Sequence, residues 1–281
     1  QRQMCIRDRN NGVTVVNRVP MELYLKGVVP SEIVPSWKPD AIKAQAVAAR
    51  TYAVYHKNGY RSAGYDITDD TRSQVYRGCS VETSATNKAV EETAGEIITY
   101  NGKAIDALFH ANGGGYTEDS ENVWGSYVPY LRGVKEESSS TVNRPWHKIV
   151  SIDSFSNAIS RAGYHVGKVK KIGLSRLHMG NNRAKDRGIS GRVKTMEITG
   201  KSGRKIIPGE VIQSAFDLDS TLFDISAKGN NLIITGYGFG HGLGLSQWGA
   251  EAMAEKNGDG KEYYKRILLH YFTGSKIEKI Y

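Results

Sequence analysis

Cysteine is nearly absent: Cys5 and Cys79 are the two in 281 residues, too few for a disulfide framework or a thiolate metal site. No stretch approaches the roughly 18 apolar residues of a membrane-crossing helix, and no secretory leader is visible. The sequence has no HExxH, which disfavours a zincin, and no GxSxG, which disfavours a serine esterase of that type. The turn Asn257-Gly258-Asp259-Gly260 lacks the remaining ligands of an EF-hand, so calcium is not expected. Repeats and low-complexity tracts are missing too. Phenylalanine is scarce, six against sixteen tyrosines, and a ring with one polar end suits wet, sugar-facing or interface surfaces.

What is present is positive charge. The net charge of +9 and pI near 9.3 point to an anionic environment: nucleic acid, an anionic membrane surface, or an acidic polymer such as a bacterial wall. The charges read as scattered along the chain, and no nucleic-acid motif accompanies them, so nucleic acid is not the expected partner. The opening QRQMCIRDR reads as translated adapter sequence. Residues 1–10 are therefore expected to carry no ordered structure, Cys5 no role, and a leader or anchor is expected to be missing.

The densest stretch runs from Val28 to Tyr55. Glu32 lies between Pro30 and Pro35, which argue against a regular helix there. Pro39 suits the first position of a following helix and Asp40 its first turn, with Asn58-Gly59 as the stop signal. From Asp40 to about Lys57 alanine dominates and apolar residues cover nearly every face, as in a buried helix. Lys43 and Arg50 interrupt this on one face, Gln45 and Tyr52 on another. Either the cations bind structural carboxylates, or the polar face lines a cleft into which Glu32 also points. The recurrence of two polar pairs favours the cleft.

The expected fold is α+β, with mixed sheets and helices around a central Ala-rich helix and a smaller α+β lobe. Gly12–Val19 reads as a strand and Met21–Val29 as a short helix or turn before another extended segment. Glu82–Thr93 reads as a helix. Asn101-Gly102 signals a type I′ hairpin between strands Glu96–Tyr100 and Lys103–His110, the second delivering His110 at its end. Residues 11–145 and 221–281 are expected to form the core and 146–220 an inserted or appended lobe, with a helix at Ile152–Ala162, a hairpin at Arg192–Ile207 and a short helix at Glu210–Phe216. Beyond the strand Asn231–Gly236, glycines alternate at 236, 238, 240, 242 and 244, which on an extended segment means close backbone approach or room for a ligand. Ser246 can cap a helix through Met253, and a last helix, Glu262–Tyr271, precedes a closing strand, Lys276–Tyr281.

The reactive inventory is Glu32, Asp69, Asp70, Ser73, His110, Glu118, His241, Ser246 and Gln247. Two isolated histidines suit hydrogen bonding better than metal binding. A single acid in a Pro-framed turn beside a buried helix loses solvation, which raises its pKa and suits it to proton donation at neutral pH. That is the profile of a glycosidic-bond acid, yet ordinary glycoside hydrolases pair it with a second carboxylate, and none is obvious. The residues alone leave this reading level with a Glu32 that merely binds Lys43 or Arg50.

YLKGVVPSEIVPSW, DAIKAQAVAARTYAV, DDTRSQVYRG, FHANGGGYTEDSENVWG, PYLRGV, GRVKTMEITGKSG with STLF, and GYGFGHGLGLSQWGA together resemble the stage II sporulation protein D and amidase enhancer family. The resemblance runs in the family's order from Met21 to Tyr281. It implies an extracytoplasmic lytic transglycosylase of peptidoglycan, secreted or anchored through the missing segment, preferring peptide-stripped strands and acting beside a wall amidase and other sporulation wall proteins. The alternative it carries is a non-catalytic wall-binding enhancer of an amidase. The family's catalytic glutamate falls on Glu32. Lys43, Arg50, Tyr52, Ser73, Gln74, Tyr76, His110, Glu118, His241, Ser246 and Gln247 fall in matching motifs and are expected around the glycan, in a cleft between the helix, the hairpin and the glycine segment. Some members bind zinc through a histidine and a cysteine in the FH…G segment. Here the loop from His110 to Trp124 has no cysteine, Tyr116 standing in that region, so neither zinc nor another cofactor is expected.

Overall fold

Alanine lets helices approach closely, and α2 (Pro39–Tyr55) uses this along almost its whole length: every residue from Asp40 to Thr51 is buried. The computed structural model describes residues 3–9, 12–137, 139–180 and 183–281. They form an α+β chain of two compact units, one of Gln1–Leu108, Met253–His270 and Gly274–Tyr281, the other of Phe109–Ala252 and Tyr271–Thr273.

The first unit begins with β1 (Gln3–Arg9) paired antiparallel to β2 (Gly12–Arg18). The segment set aside as an artefact thus supplies a strand, while residues 1, 2 and 10 lie outside the described set. Helix α1 (Met21–Glu32) runs through Pro30, so Glu32 ends a helix rather than sitting in a turn. A proline is tolerated there because it lies in the last turn, where one lost N–H bond unravels little. The Ser31 hydroxyl donates to Gly27 O at 2.9 Å in that turn. After α2 come α3 (Ser84–Glu92), capped by Thr83, and the hairpin β3 (Glu96–Tyr100) and β4 (Lys103–Ala104). Asn101 and Gly102 both have positive φ, as a type I′ turn requires.

The second hairpin strand is shorter than expected. It stops at Ala104, and Phe109–His110 is a separate strand, β5, of the second unit. There follow α4 (Ser120–Trp124), β6 (Trp146–Ser151), α5 (Ile152–Arg161), β7 (Val169–Gly173), β8 (Thr195–Gly200), β9 (Gly203–Pro208), α6 (Gly209–Phe216), β10 (Phe223–Lys228), β11 (Asn231–Gly236) and β12 (Leu245–Ser246). Two three-stranded antiparallel sheets, β10-β11-β6 and β7-β8-β9, enclose a core in which the Phe155 and Phe216 rings stack 5.0 Å apart. β12 pairs parallel with β5. Residues 109–145 therefore join 146–220 instead of the first unit. The physical reason is that buried Glu118 and Arg192 tie the loop after β5 to residues 188–192.

Helix α7 (Gln247–Asn257) leads back into the first unit, where α8 (Tyr263–Tyr271) and β13 (Lys276–Lys279) complete it. β13 forms the edge of the sheet β13-β3-β4. Asp40 receives Gly260 N at 2.7 Å and Tyr264 N at 3.0 Å, so a buried carboxylate at the start of α2 also caps α8.

The burial of Arg50 is explained by its partners. Its guanidinium donates to both Glu22 carboxylate oxygens at 2.8 and 2.7 Å, to Glu96 O at 3.1 Å, to Val90 O at 3.2 Å and to Thr93 Oγ1 at 3.4 Å. One side chain thereby ties α1, α2, α3 and β3. Glu22→Ala would strand a fully buried cation, a change that costs about 3 to 5 kcal/mol. Urea unfolding is expected to show that loss, with the denaturant slope unchanged.

Candidate active site

Tyr24, Val28 and Glu32 are spaced by four residues and so lie on one face of α1. Facing them is the loop Ser73-Gln74-Val75-Tyr76. The Val75 N–H donates to Glu32 Oε1 at 2.8 Å. The Tyr24 hydroxyl donates to Gln74 Oε1 at 3.0 Å, and Gln74 Nε2 to Ala49 O on α2 at 3.2 Å. The Tyr24 and Tyr76 rings stack 5.4 Å apart. Gly27 permits this approach: a Cβ there would meet the Tyr76 ring at 2.6 Å and Gly78 O at 2.8 Å. From α2, the half-buried Tyr52 bonds Ser73, its ring lies 4.1 Å from that of His56, and His56 Nε2 meets Asp106 at 2.9 Å.

Burial pushes the Glu32 carboxyl up from its ordinary range, opposed by the Val75 N–H. A carboxyl that loses water on burial stays protonated to higher pH. Burial also raises the phenols of Tyr24 and Tyr52; the charge of Glu32 adds to both, and that of Asp106 to Tyr52. Both hydroxyls therefore remain neutral. The arrangement is a half-buried acid that can give and take back a proton beside aromatic faces.

The other expected site residues lie elsewhere. Lys43 is buried and saturated, reaching Glu92 at 2.6 Å, Gly260 O at 2.8 Å and Lys261 O at 3.2 Å. With Arg50 on Glu22, the cations of α2 bind structural carboxylates and do not line the Glu32 group, which corrects the cleft reading of that helix. His110, Glu118, His241, Ser246 and Gln247 belong to the second unit, so the group around Glu32 is built from the first unit alone.

In that second unit Glu118 is buried and accepts from Asp119 N, Asn122 Nδ2, Ile189 N, Ser190 N and Ser190 Oγ at 2.6 to 3.1 Å. No lone pair is left for a substrate, and Glu118 is a clamp on its loop. Ser246 accepts Gly113 N at 3.1 Å and Gly249 N at 3.2 Å, so it caps α7. Gln247, the first residue of α7, is buried beside it. The glycine segment is not a strand: Gly238, Gly240, Gly242 and Gly244 all have left-handed φ, and Gly242 lies against the Arg192 guanidinium with no space for a Cβ. His241 accepts Leu243 N at Nδ1 and donates from Nε2 to Phe109 O, which fixes its tautomer. His110 donates from Nδ1 to Leu243 O, and burial, then the neighbouring His241 and Arg192, drive its pKa well below the usual histidine range.

Comparison with known proteins now bears on this geometry. Residues 9–100 match the family model described as stage II sporulation protein, and residues 131–244 match one described as a domain of unknown function. The stage II sporulation protein D of Bacillus subtilis is 33% identical over 281 residues, covering 94% of this chain and 76% of that protein. The chain belongs to the stage II sporulation protein D and amidase enhancer family. An uncharacterized protein of Brachyspira hyodysenteriae is 36% identical, covering 95% of this chain and 69% of that protein. The Amidase enhancer of Bacillus subtilis is 32% identical, covering 90% of this chain and 40% of that protein. Every residue of the Glu32 group except Asp106 falls within the sporulation-protein match.

The zinc that the family resemblance raises finds a poor donor set here. His110 Nε2 is a buried lone pair without a partner among the described residues, but both nitrogens of His241 are committed to backbone. No three His, Cys, Asp or Glu side chains converge among the described residues. These residues do not fit a zinc ion.

Tyr24, Val75, His56 and Asp106 escaped the sequence reading. Tyr24 carried a signal, eight residues before Glu32, that only a helix continuing through Pro30 would have exposed. The raised Glu32 pKa has a stability consequence. A carboxyl whose folded pKa exceeds its unfolded value, about 4.3, stabilises fully below that value and loses this contribution as pH rises through the folded pKa. Glu32→Gln is therefore expected to melt no lower than wild type at neutral pH. Carboxyl NMR titration should place Glu32 above exposed glutamates; an ordinary or lowered value would remove it as a proton donor.

Proposed function

We propose that the protein is an extracytoplasmic lytic transglycosylase that cleaves the bond between N-acetylmuramic acid and N-acetylglucosamine in peptidoglycan strands. The observation that carries this is the environment of Glu32: half-buried, raised in pKa, bonded by the Val75 N–H and set beside Tyr24 and Tyr52, with Tyr76 stacked on Tyr24. The stage II sporulation protein D relatives support a cell-wall role, which in this chain needs an acid suited to glycan chemistry.

Protonated Glu32 gives its proton to the bridging oxygen as the C1–O bond of muramic acid breaks. The resulting carboxylate then accepts the proton of the muramic C6 hydroxyl as that oxygen bonds to C1, closing the 1,6-anhydro ring. The proton taken equals the proton given, water is not consumed, and one carboxyl serves both steps. Tyrosine faces are suited to stacking on the apolar faces of sugar rings. Ser73 and Gln74 act through the loop, holding Tyr52 and Tyr24.

The Amidase enhancer relative supports a second reading, a wall-binding protein that assists an amidase without cleaving glycan. Mass spectrometry of purified glycan strands, intact and peptide-stripped, separates the two. Wild type is expected to release anhydro-muramic ends, and Glu32→Gln to lose about 100-fold or more of that rate. Reducing-end products would mean hydrolysis. No product from either substrate, with wall binding retained, would favour the enhancer.

A further inference from the structure

The basic character of the chain is local after all. Residues 161–205 hold thirteen of its thirty-eight Lys and Arg but two of its twenty-nine Asp and Glu, a net +11 that leaves the rest of the chain at −2. This stretch lies wholly within the match to a domain of unknown function. Antiparallel pairing gathers much of it. Val169 at the start of β7 pairs with Gly200 at the end of β8, which pairs with Gly203 at the start of β9. That end of the sheet therefore carries Lys168, Lys170, Lys171, Lys201, Arg204 and Lys205, all exposed. Lys171 and Arg204 flank Thr199 from either side in one cross-strand row.

Internal acids neutralise little of this. Lys168 meets Asp153 at 2.8 Å and Arg204 meets Glu197 at 3.2 Å. Lys170, Lys171, Lys201 and Lys205 have no carboxylate partner among the described residues. β7 and β9 are the sheet's edges, and lysines on edges guard against strand addition. That accounts for cations on the strands. It does not account for Lys201 in the turn, or for Arg176, Arg183 and Lys185, exposed in the preceding loop.

We propose that this end of the β7-β8-β9 sheet is a docking surface for the carboxylates of peptidoglycan, distinct from the Glu32 group. Only the identity of the polymer rests on the reading above. Ile206 is the one large exposed apolar side chain on these strands. A protein interface would need an apolar centre, a membrane surface an apolar face to insert, and single-stranded nucleic acid an aromatic platform. A hydrated polyanion needs only charge. The cations at this end of the sheet that have no carboxylate partner among the described residues, Lys170, Lys171, Lys201 and Lys205, are compact and mobile point charges suited to carboxylates spaced irregularly along a polymer.

The test uses binding without catalysis. Glu32→Gln protein is sedimented with purified sacculi freed of secondary polymers, with and without Lys170→Gln, Lys171→Gln, Lys201→Gln and Lys205→Gln together. Exposed ion contacts contribute about twofold to fivefold each, so the fourfold variant is expected to bind about tenfold more weakly or worse, and four arginines in the same places to restore binding. Added salt, and amidation of the sacculus carboxylates, should each release the protein. Undiminished binding by the fourfold glutamine variant or to amidated sacculi would overturn the proposal. So would stronger retention on phosphate-polymer-bearing sacculi, anionic vesicles or duplex DNA. With native Glu32, the fourfold variant should cleave short soluble strands as wild type does. Loss of that cleavage in wild type itself would sink the transglycosylase reading and leave this one standing.

Discussion

An arginine can lie in the middle of an alanine helix only when its charge and its five N–H groups are all answered. Arg50 meets that condition through a bidentate carboxylate, two backbone carbonyls and a threonine hydroxyl. The constraint reaches well beyond the pair. Glu22 lies in the first turn of α1, so fixing it on Arg50 fixes that helix against α2, and the far end of the same helix carries Glu32. The acid is positioned by a rigid lever whose opposite end is anchored by a buried ion pair.

The chain treats its buried acids in opposite ways. Glu118 and Asp40 are surrounded by donors and hold loops and helix starts in place. At Glu32 the loss of water outweighs the bond from the Val75 amide, and the carboxyl is raised. A carboxylate that is over-supplied with donors is a structural part. One whose loss of water is not offset keeps its proton to higher pH than an exposed glutamate does.

Much of this was legible in the sequence. Pro39 and Asp40 marked the start of α2, Asn101-Gly102 the hairpin, and Ser246 the cap of α7, because each is a local signal with a local cause. Glu32 was legible as an unusual acid. Its setting was not, because a proline signals a helix break in sequence while Pro30 lies harmlessly in the last turn of α1. The roles of Lys43 and Arg50 are hidden because their partners, Glu92 and Glu22, lie tens of residues away, and spacing along one helix carries no information about what faces it. The same limit hid Glu118 as a clamp and the left-handed turns at Gly238 to Gly244, which look like a strand until φ is known. The boundary near residue 146 failed for a related reason: a composition shift is visible in sequence, but the bonds tying residues 113–118 to 188–192 are not.

The first unit is discontinuous, and that shapes how it comes into being. Asp40 finds its amide partners at Gly260 and Tyr264, and β3 finds its outer neighbour in Lys276–Lys279. A chain emerging from the ribosome, or threaded through a membrane, would hold the Ala-rich helix ready early and wait for nearly the whole sequence before finishing it. The second unit needs from that tail only Tyr271–Thr273. Sequence-distant closure of this kind is slow and leaves apolar surface open meanwhile. The parts of the Glu32 group all lie between Tyr24 and Asp106 and are made early, yet α2, which bears Tyr52, is finished only by partners more than two hundred residues further on.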